Sequence, residues 1–167
     1  MSDSPSEWHA WLNCLDARRR ASAESLRARF EALGAADADD WAKSEICEDI
    51  PHLARFVLLR SLWRGPIDGW VDPGAFDQLP AAQRLLAAGA NKEDLVRLAR
   101  AVAYEAVFAT LDELDTGSDV NVSGTDVGWI VMESGEDGAP TGRALSGLHE
   151  DLLTMDPSGH DGADFWQ

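Results

Sequence analysis

Positive charge is nearly missing from the last third of this sequence. Residues 101–167 contain fourteen carboxylates and a single base, Arg143, so they contribute −13 to a net charge of −16. A surface with one sign of charge repels nucleic acid and anionic membranes and attracts cations or basic proteins. The sequence therefore predicts a basic protein partner, no nucleic acid and no membrane.

Cysteines and long apolar runs are scarce as well. The two cysteines, Cys14 and Cys47, lie beside apolar residues in segments with a helical pattern, and we interpret them as reduced core thiols rather than a disulfide. No apolar run reaches the roughly eighteen residues of a membrane span, and the N-terminus lacks the basic and apolar regions of a secretory signal. We expect a cytoplasmic protein.

Lysine is the third scarce residue, with Lys43 and Lys92 against twelve arginines. This usage, together with many Ala, Asp and Gly residues, suits a GC-rich bacterial genome. Proteins adapted to salt are acidic and poor in lysine for reasons of solvation alone. A salt-adapted acidic protein of unknown role is therefore an alternative explanation of the negative charge.

Helical periodicity extends through most of the chain, and β-branched residues cluster only after it. A stripe from Trp8 to Leu33 predicts one helix that ends at Gly34. Residues 127–133 are rich in Val and Ile, and turn residues follow them at 135–140. We predict one α+β domain over residues 1–167, mainly helical and bundle-like, with five or six helices and a small antiparallel hairpin near 127–145.

The longest predicted helix begins after a cap at Asn91 and continues to about Leu114. Its polar side chains fall in one arc and its apolar side chains, including Leu98 and Val102, fill the rest. This pattern predicts a mostly buried helix with a narrow polar stripe. The stripe comprises Asp94, Arg97, Arg100, Tyr104, Glu105 and Asp112.

Dinucleotide, P-loop and C-x-x-C motifs are missing from the sequence, so we predict no cofactor. A partial calcium-loop pattern provides Asp119, Asn121 and Ser123 as candidate metal ligands. The pattern fails at its twelfth position, Ile130, where a bidentate Glu is required. Asp, Asn, Ser and Gly are equally typical of an ordinary loop.

Two histidines near the C-terminus form a second candidate site. His149 and His160, with nearby carboxylates such as Asp156, would suit a first-row transition metal if they converged. Glu105 on the longest helix, together with His149 and Glu150, would then be the candidate catalytic residues of a metal-dependent or acid–base enzyme. The interpretation as an enzyme is the weaker one, because no catalytic signature accompanies these residues.

The function that we favour from the sequence is an acidic protein-binding module, in its most concrete form an immunity protein or inhibitor that neutralises a basic toxin. Complementary charge accelerates encounter and fixes register, and Trp129 would provide an aromatic anchor. The predicted partner-binding residues are Asp112, Asp115, Asp119, Asp126, Trp129, Glu136, Asp137, Asp156 and Asp161.

Two parts of the sequence carry a resemblance to a known family. One is Leu85–Leu95, which leads into the longest helix, and the other is Val127-Gly128-Trp129 followed by Gly147–Glu150 and Asp156–Gly159. Together they resemble an uncharacterised family of small bacterial cytosolic proteins over residues 80–162. The resemblance implies a bacterial cytosolic domain and carries no activity or ligand.

The C-terminal aromatics Phe165 and Trp166 are expected to dock rather than fray. We expect docking on the same chain, near Trp8 and Trp11. Because like charge opposes self-association, we predict a monomer, or at most a dimer through residues 1–64.

Overall fold

The computed structural model of the protein describes residues 7–119, 121 and 127–165. They form seven α-helices and a two-stranded sheet of β1 (Val131–Ser134) and β2 (Pro140–Leu145). The helices are α1 (Glu7–Leu12), α2 (Ala17–Leu33), α3 (Ala38–Glu48), α4 (His52–Leu62), α5 (Pro80–Ala87), α6 (Lys92–Thr116) and α7 (Leu148–Leu152). The α+β class and the antiparallel hairpin near the C-terminus are confirmed.

The chain divides into two compact units. The first comprises Met1–Val57 and Met132–Leu145, and the second comprises Leu58–Val131 and Ser146–Gln167, as far as these residues are described. The single domain over 1–167 stays a prediction. No helix in the described part of the chain has the length and apolar character needed to span a membrane.

The first predicted helix is divided in two. Asp16 adopts an extended conformation, and its carboxylate accepts a hydrogen bond from the backbone N–H of Arg19 at 2.8 Å. This N-cap starts α2 and separates it from α1, because a short polar side chain competes with the helical backbone for hydrogen bonds. Gly34 ends α2 in the left-handed conformation, as predicted.

Aromatic rings form the centre of the first unit. Phe30 of α2 is fully buried, and its ring lies 6.0 Å from that of Trp41 and 5.6 Å from that of Phe56. The small side chains of Ala23 and Ala42 are also fully buried, which lets α2 and α3 approach closely. The thiols of Cys14 and Cys47 are free and exposed, so their predicted place in the core is wrong.

The hairpin is joined to the rest of the first unit by Arg143 of β2. Its guanidinium contacts Glu133 of β1 at 2.6 Å and Glu45 of α3 at 3.0 Å. Glu45 is buried, and its other oxygen accepts a hydrogen bond from the backbone N–H of Leu53 at the start of α4. The lone base of the last third therefore connects three elements of this unit.

The second unit is built around Trp63, which is 1% exposed. Its ring stacks on Phe165 at 5.8 Å, and its indole N–H donates to the carbonyl of Leu152 at 2.7 Å. Arg100 lies over the Phe165 ring at 4.7 Å and forms ion pairs with Asp68 and Asp164. Phe165 therefore docks on its own chain.

Docking of the tail near Trp8 and Trp11 stays a prediction. Trp8 and Trp11 contact each other in the first unit, with ring centroids 5.1 Å apart, whereas Phe165 contacts Trp63 and Tyr104 in the second unit. Trp166 lies outside the described residues.

The face of helix α6 that is buried differs from the predicted one. Tyr104 and Arg100, which periodicity assigns to a polar stripe, lie on the inner side, where Tyr104 is buried. Leu98 and Val102, which periodicity assigns to the core, are 61% and 60% exposed. The reason is that Arg100 and Tyr104 bury their apolar parts while their polar atoms remain paired or hydrated.

Candidate acidic binding site

The last turns of α6 concentrate negative charge. Asp112, Glu113 and Asp115 lie there, and the last turn contains no basic residue. The C-terminus of a helix already carries a partial negative charge, so cations are favoured and carboxylates are disfavoured at this end. The end of α6 is therefore a focus of negative potential.

Trp129 is fixed at this end of α6. Its indole N–H donates to the carbonyl of Glu113 at 3.0 Å, and its backbone N–H donates to the carbonyl of Gly117 at 2.9 Å. The approach is so close that a Cβ on Gly128 would lie 2.5 Å from the Gly117 oxygen. Trp129 nevertheless remains 40% exposed, so these hydrogen bonds hold the residue in place without covering its indole.

The residues around Trp129 add apolar surface. Val127 is 79% exposed and Ile130 is 63% exposed. An exposed apolar group beside a charged rim is the usual composition of a protein interface, with an anchor surrounded by polar residues. The structure thus places Trp129 together with Asp112, Glu113 and Asp115 at one end of α6.

His149 is also at this end of α6. Its Nδ1 lies 2.7 Å from Asp115 Oδ2, its backbone N–H donates to the same oxygen, and its Nε2 is 3.8 Å from Asp112 Oδ1. The Asp115 side chain is 10% exposed, and its Oδ1 is buried without a hydrogen-bond partner. The hydrogen bond to Asp115, and then the charges of Asp115, Asp112 and Glu150, raise the pKa of His149.

This raised pKa makes the stability of the second unit depend on pH. Because the imidazolium is favoured in the folded state, its contribution is complete below the unfolded pKa of about 6.5 and is lost as pH rises through the folded pKa. We expect the melting temperature of the wild type to exceed that of His149→Gln most at about pH 6, with a smaller gap at pH 9. A gap that widens with pH would contradict this assignment. As a control, NMR titration of Asp115→Asn should show that the pKa of His149 falls towards its ordinary value when this carboxylate is removed.

The calcium-loop candidates are only partly described. Asp119 accepts a hydrogen bond from the backbone N–H of Asn121 at 2.9 Å, which is an ordinary turn contact. Ser123 and the predicted partner contact Asp126 lie outside the described residues. Ile130, at the failing position of the loop pattern, is exposed.

The carboxylate of Asp156 is buried and shapes the C-terminal turn. It accepts hydrogen bonds from the backbone N–H groups of Gly162 at 2.7 Å and Ser158 at 2.8 Å. Burial would raise its pKa, but these hydrogen bonds outweigh burial and lower it. Because its carboxylate is used within the turn, we do not include Asp156 in the acidic binding site. Asp161 and His160 belong to the same turn and are exposed.

The candidate catalytic residues do not form a metal cluster. Glu105 and Glu150 are exposed. His149 contacts two carboxylates of α6, those of Asp115 and Asp112. Across residues 7–119, 121 and 127–165, no group of three His, Cys, Asp or Glu residues is arranged to hold a metal ion. The acid–base interpretation stays a prediction, with the Asp115–His149 pair as its nearest structural counterpart.

The remaining predicted contacts, Glu136 and Asp137, belong to the first unit. Both are exposed in the hairpin turn, where Asp137 accepts a hydrogen bond from the backbone N–H of Ala139 at 3.0 Å. The sequence reasoning missed Leu98 and Val102 as surface residues, and no local signal distinguishes them from core residues.

Comparison of the chain with protein-family models, with curated proteins and with solved structures gives no match.

Proposed function

We propose that this protein binds a basic protein partner, and that the end of α6 with Trp129 is the contact. The observation that supports the proposal is a 40% exposed indole that is hydrogen-bonded to the end of α6, where the side chains of Asp112 and Glu113 are exposed. Buried Trp residues at the centre of an interface are frequent hot spots, and the exposed carboxylates and the negative dipole at this end of the helix would attract a cationic partner.

The most concrete form of this proposal is an immunity protein or inhibitor that neutralises a cationic toxin. The net charge of −16 would steer such a partner and accelerate encounter at low salt. The proposed compartment is the cytoplasm. The support for it is that Cys14 and Cys47 are exposed free thiols, which a reducing compartment preserves. A salt-adapted surface without a partner is the competing explanation.

The test begins with an extract of the native cell, from which proteins are captured on the immobilised protein at about 50 mM salt. They are eluted at about 500 mM salt, since salt screens these charges. Each captured protein is then purified and titrated by calorimetry. We expect a basic partner whose affinity falls about tenfold or more with Trp129→Ala, because the exposed side chain is an anchor rather than part of the core.

Charge variants provide the matched control. Neutralising the exposed carboxylates Asp112 and Glu113 at the end of α6 and Asp119, three residues after the helix ends, as amides is expected to weaken binding and to reduce its dependence on salt. Neutralising three exposed carboxylates elsewhere changes the net charge equally and should have a smaller effect. The control residues are Glu7, Glu24 and Asp72. Equal effects of the two triple variants would show that only net charge matters and would refute the proposed site.

A further inference from the structure

The solvent face of α6 carries an apolar stripe. At about 100° per residue, most of the exposed residues of this helix fall in an arc of about 120°. The residues that are exposed outside this arc are Lys92, Glu93, Arg97 and Thr110. Leu98 and Val102, at 61% and 60% exposure, lie near the centre of the arc with the exposed Ala109, and the exposed Ala106 lies at its edge. The buried residues of the helix, Tyr104 and Leu111, lie on the opposite side.

Every charged residue in this arc is acidic. The arc contains the exposed carboxylates Asp94, Glu105, Asp112 and Glu113. Within Lys92–Thr116, which the structure describes completely, the bases Lys92, Arg97 and Arg100 fall outside the arc. Lys92 donates to the carbonyl of Pro73, and Arg100 is paired with Asp68 and Asp164.

The stripe is continuous with the acidic binding site. The same face of the helix continues to Glu113, whose carbonyl accepts the hydrogen bond from the indole of Trp129. From Leu98 to Glu113 the helix rises about 22 Å, at 1.5 Å per residue. This length corresponds to about four helical turns of a second helix laid alongside.

We propose that the solvent face of α6 receives a cationic amphipathic helix of the partner. This inference rests on the proposed function and specifies the element through which the basic partner binds. Helices bind in this way through apolar residues at i, i+3, i+4 and i+7 that contact an apolar surface. Leu98 and Val102 supply that surface, and Ala106 and Ala109 leave room for the backbone of the second helix to approach.

Charge selects this occupant over a second copy of the chain. If two α6 faces met, the carboxylates of Asp94, Glu105, Asp112 and Glu113 would oppose each other with no base between them, and like charges in contact oppose association. A helix with Lys or Arg on both sides of its apolar ridge complements the same face. The acidic rim therefore excludes self-association through this stripe and favours a basic helix.

A synthetic peptide can test the inference before the natural partner is identified. The probe is a fluorescein-labelled 18-residue peptide of Leu and Lys with leucines at helical spacing, about 27 Å long when helical. A second peptide has the same composition with leucines at every other position, which cannot form one apolar helix face. Fluorescence anisotropy at about 150 mM salt measures both affinities.

We expect the helical peptide to bind at least tenfold more tightly than the alternating peptide. The double variant Leu98→Ser/Val102→Ser should lose at least tenfold in affinity for the helical peptide, whereas Val71→Ser should not change it. Val71 is a matched control because it is 57% exposed in the same unit but lies outside α6. Circular dichroism should show unchanged helix content in both variants.

Glu105→Gln combined with Asp94→Asn is a second variant that preserves shape and removes two rim charges. It should lower the affinity for the helical peptide severalfold and make that affinity less dependent on salt concentration. Equal binding of the two peptides, or full binding by Leu98→Ser/Val102→Ser, would overturn the inference. A natural basic partner that is sensitive to Trp129→Ala but not to Leu98→Ser/Val102→Ser would overturn it too and leave the proposed function standing.

Discussion

Replacing Phe165 by alanine is expected to destabilise the second unit by about 3 kcal/mol, the lower end of the range for buried Phe→Ala changes. Phe165 is 7% exposed, and its ring contacts those of Trp63 and Tyr104. Its loss removes apolar burial and also the ring beneath the Arg100 guanidinium. The melting temperature should fall by about 10 °C in a thermal scan followed by near-ultraviolet circular dichroism.

Two further variants test whether the destabilisation comes from the loss of the docked Phe165 ring. Val71→Ala removes an exposed apolar side chain of the same unit and should change the melting temperature little. Truncation after Gly162 should reproduce the destabilisation without changing the mass of the assembly measured by light scattering. If truncation instead converted a dimer to a monomer, the tail would be an interface between copies.

Replacing Arg143 by methionine is expected to cost about 3 kcal/mol, the lower end of the range for buried ion pairs, because a partly buried ion-pair cluster is broken and its carboxylates lose their partner. Glu45 is 5% exposed and Glu133 is 15% exposed at the side chain, so neither regains full hydration when the guanidinium is lost. Chemical denaturation would measure the loss. The double variant Arg143→Met/Glu45→Gln should be more stable than Arg143→Met alone, since one uncompensated charge is gone.

The effect of Arg143→Met should depend on pH. Burial would raise the pKa of Glu133, but the hydrogen bonds from Arg143 and Thr141 outweigh burial and lower it. The stabilisation is therefore present above the ordinary carboxyl pKa of about 4.3 and is lost as pH falls through the folded pKa. The wild type and Arg143→Met should approach each other in stability below about pH 4, and a gap that grows on acidification would contradict the ion-pair explanation.

Local chemistry is sufficient to predict most helix ends. Asn91 caps α6 through the backbone N–H of Glu93, and Gly117 ends the helix in the left-handed conformation. The hairpin is predictable because β-branched residues and turn residues occur close together in the sequence. Asp16 shows where this reasoning fails, since a single capping residue interrupts an otherwise continuous helical stripe.

Which face of a helix is buried depends on residues far away in the sequence. Arg100 lies inward because Asp68 and Asp164, 32 and 64 residues away, receive its guanidinium. Arg143 likewise finds Glu45 at a separation of 98 residues. Periodicity assigns amphipathic residues such as Arg and Tyr to the polar side, so it cannot anticipate these pairings. It places Leu98 and Val102 in the core for the same reason.

The position of Arg143 also has a consequence for proteolysis. Trypsin cleaves after Lys or Arg, and residues 101–167 contain no other such residue. In the folded protein this side chain is held by Glu133 and Glu45 within strand β2, so the protease gains access only when the hairpin opens. Release of the fragment 144–167 therefore reports the opening of one structural element, and at trypsin concentrations high enough for cleavage to outpace reclosing its rate measures how often that element leaves the fold.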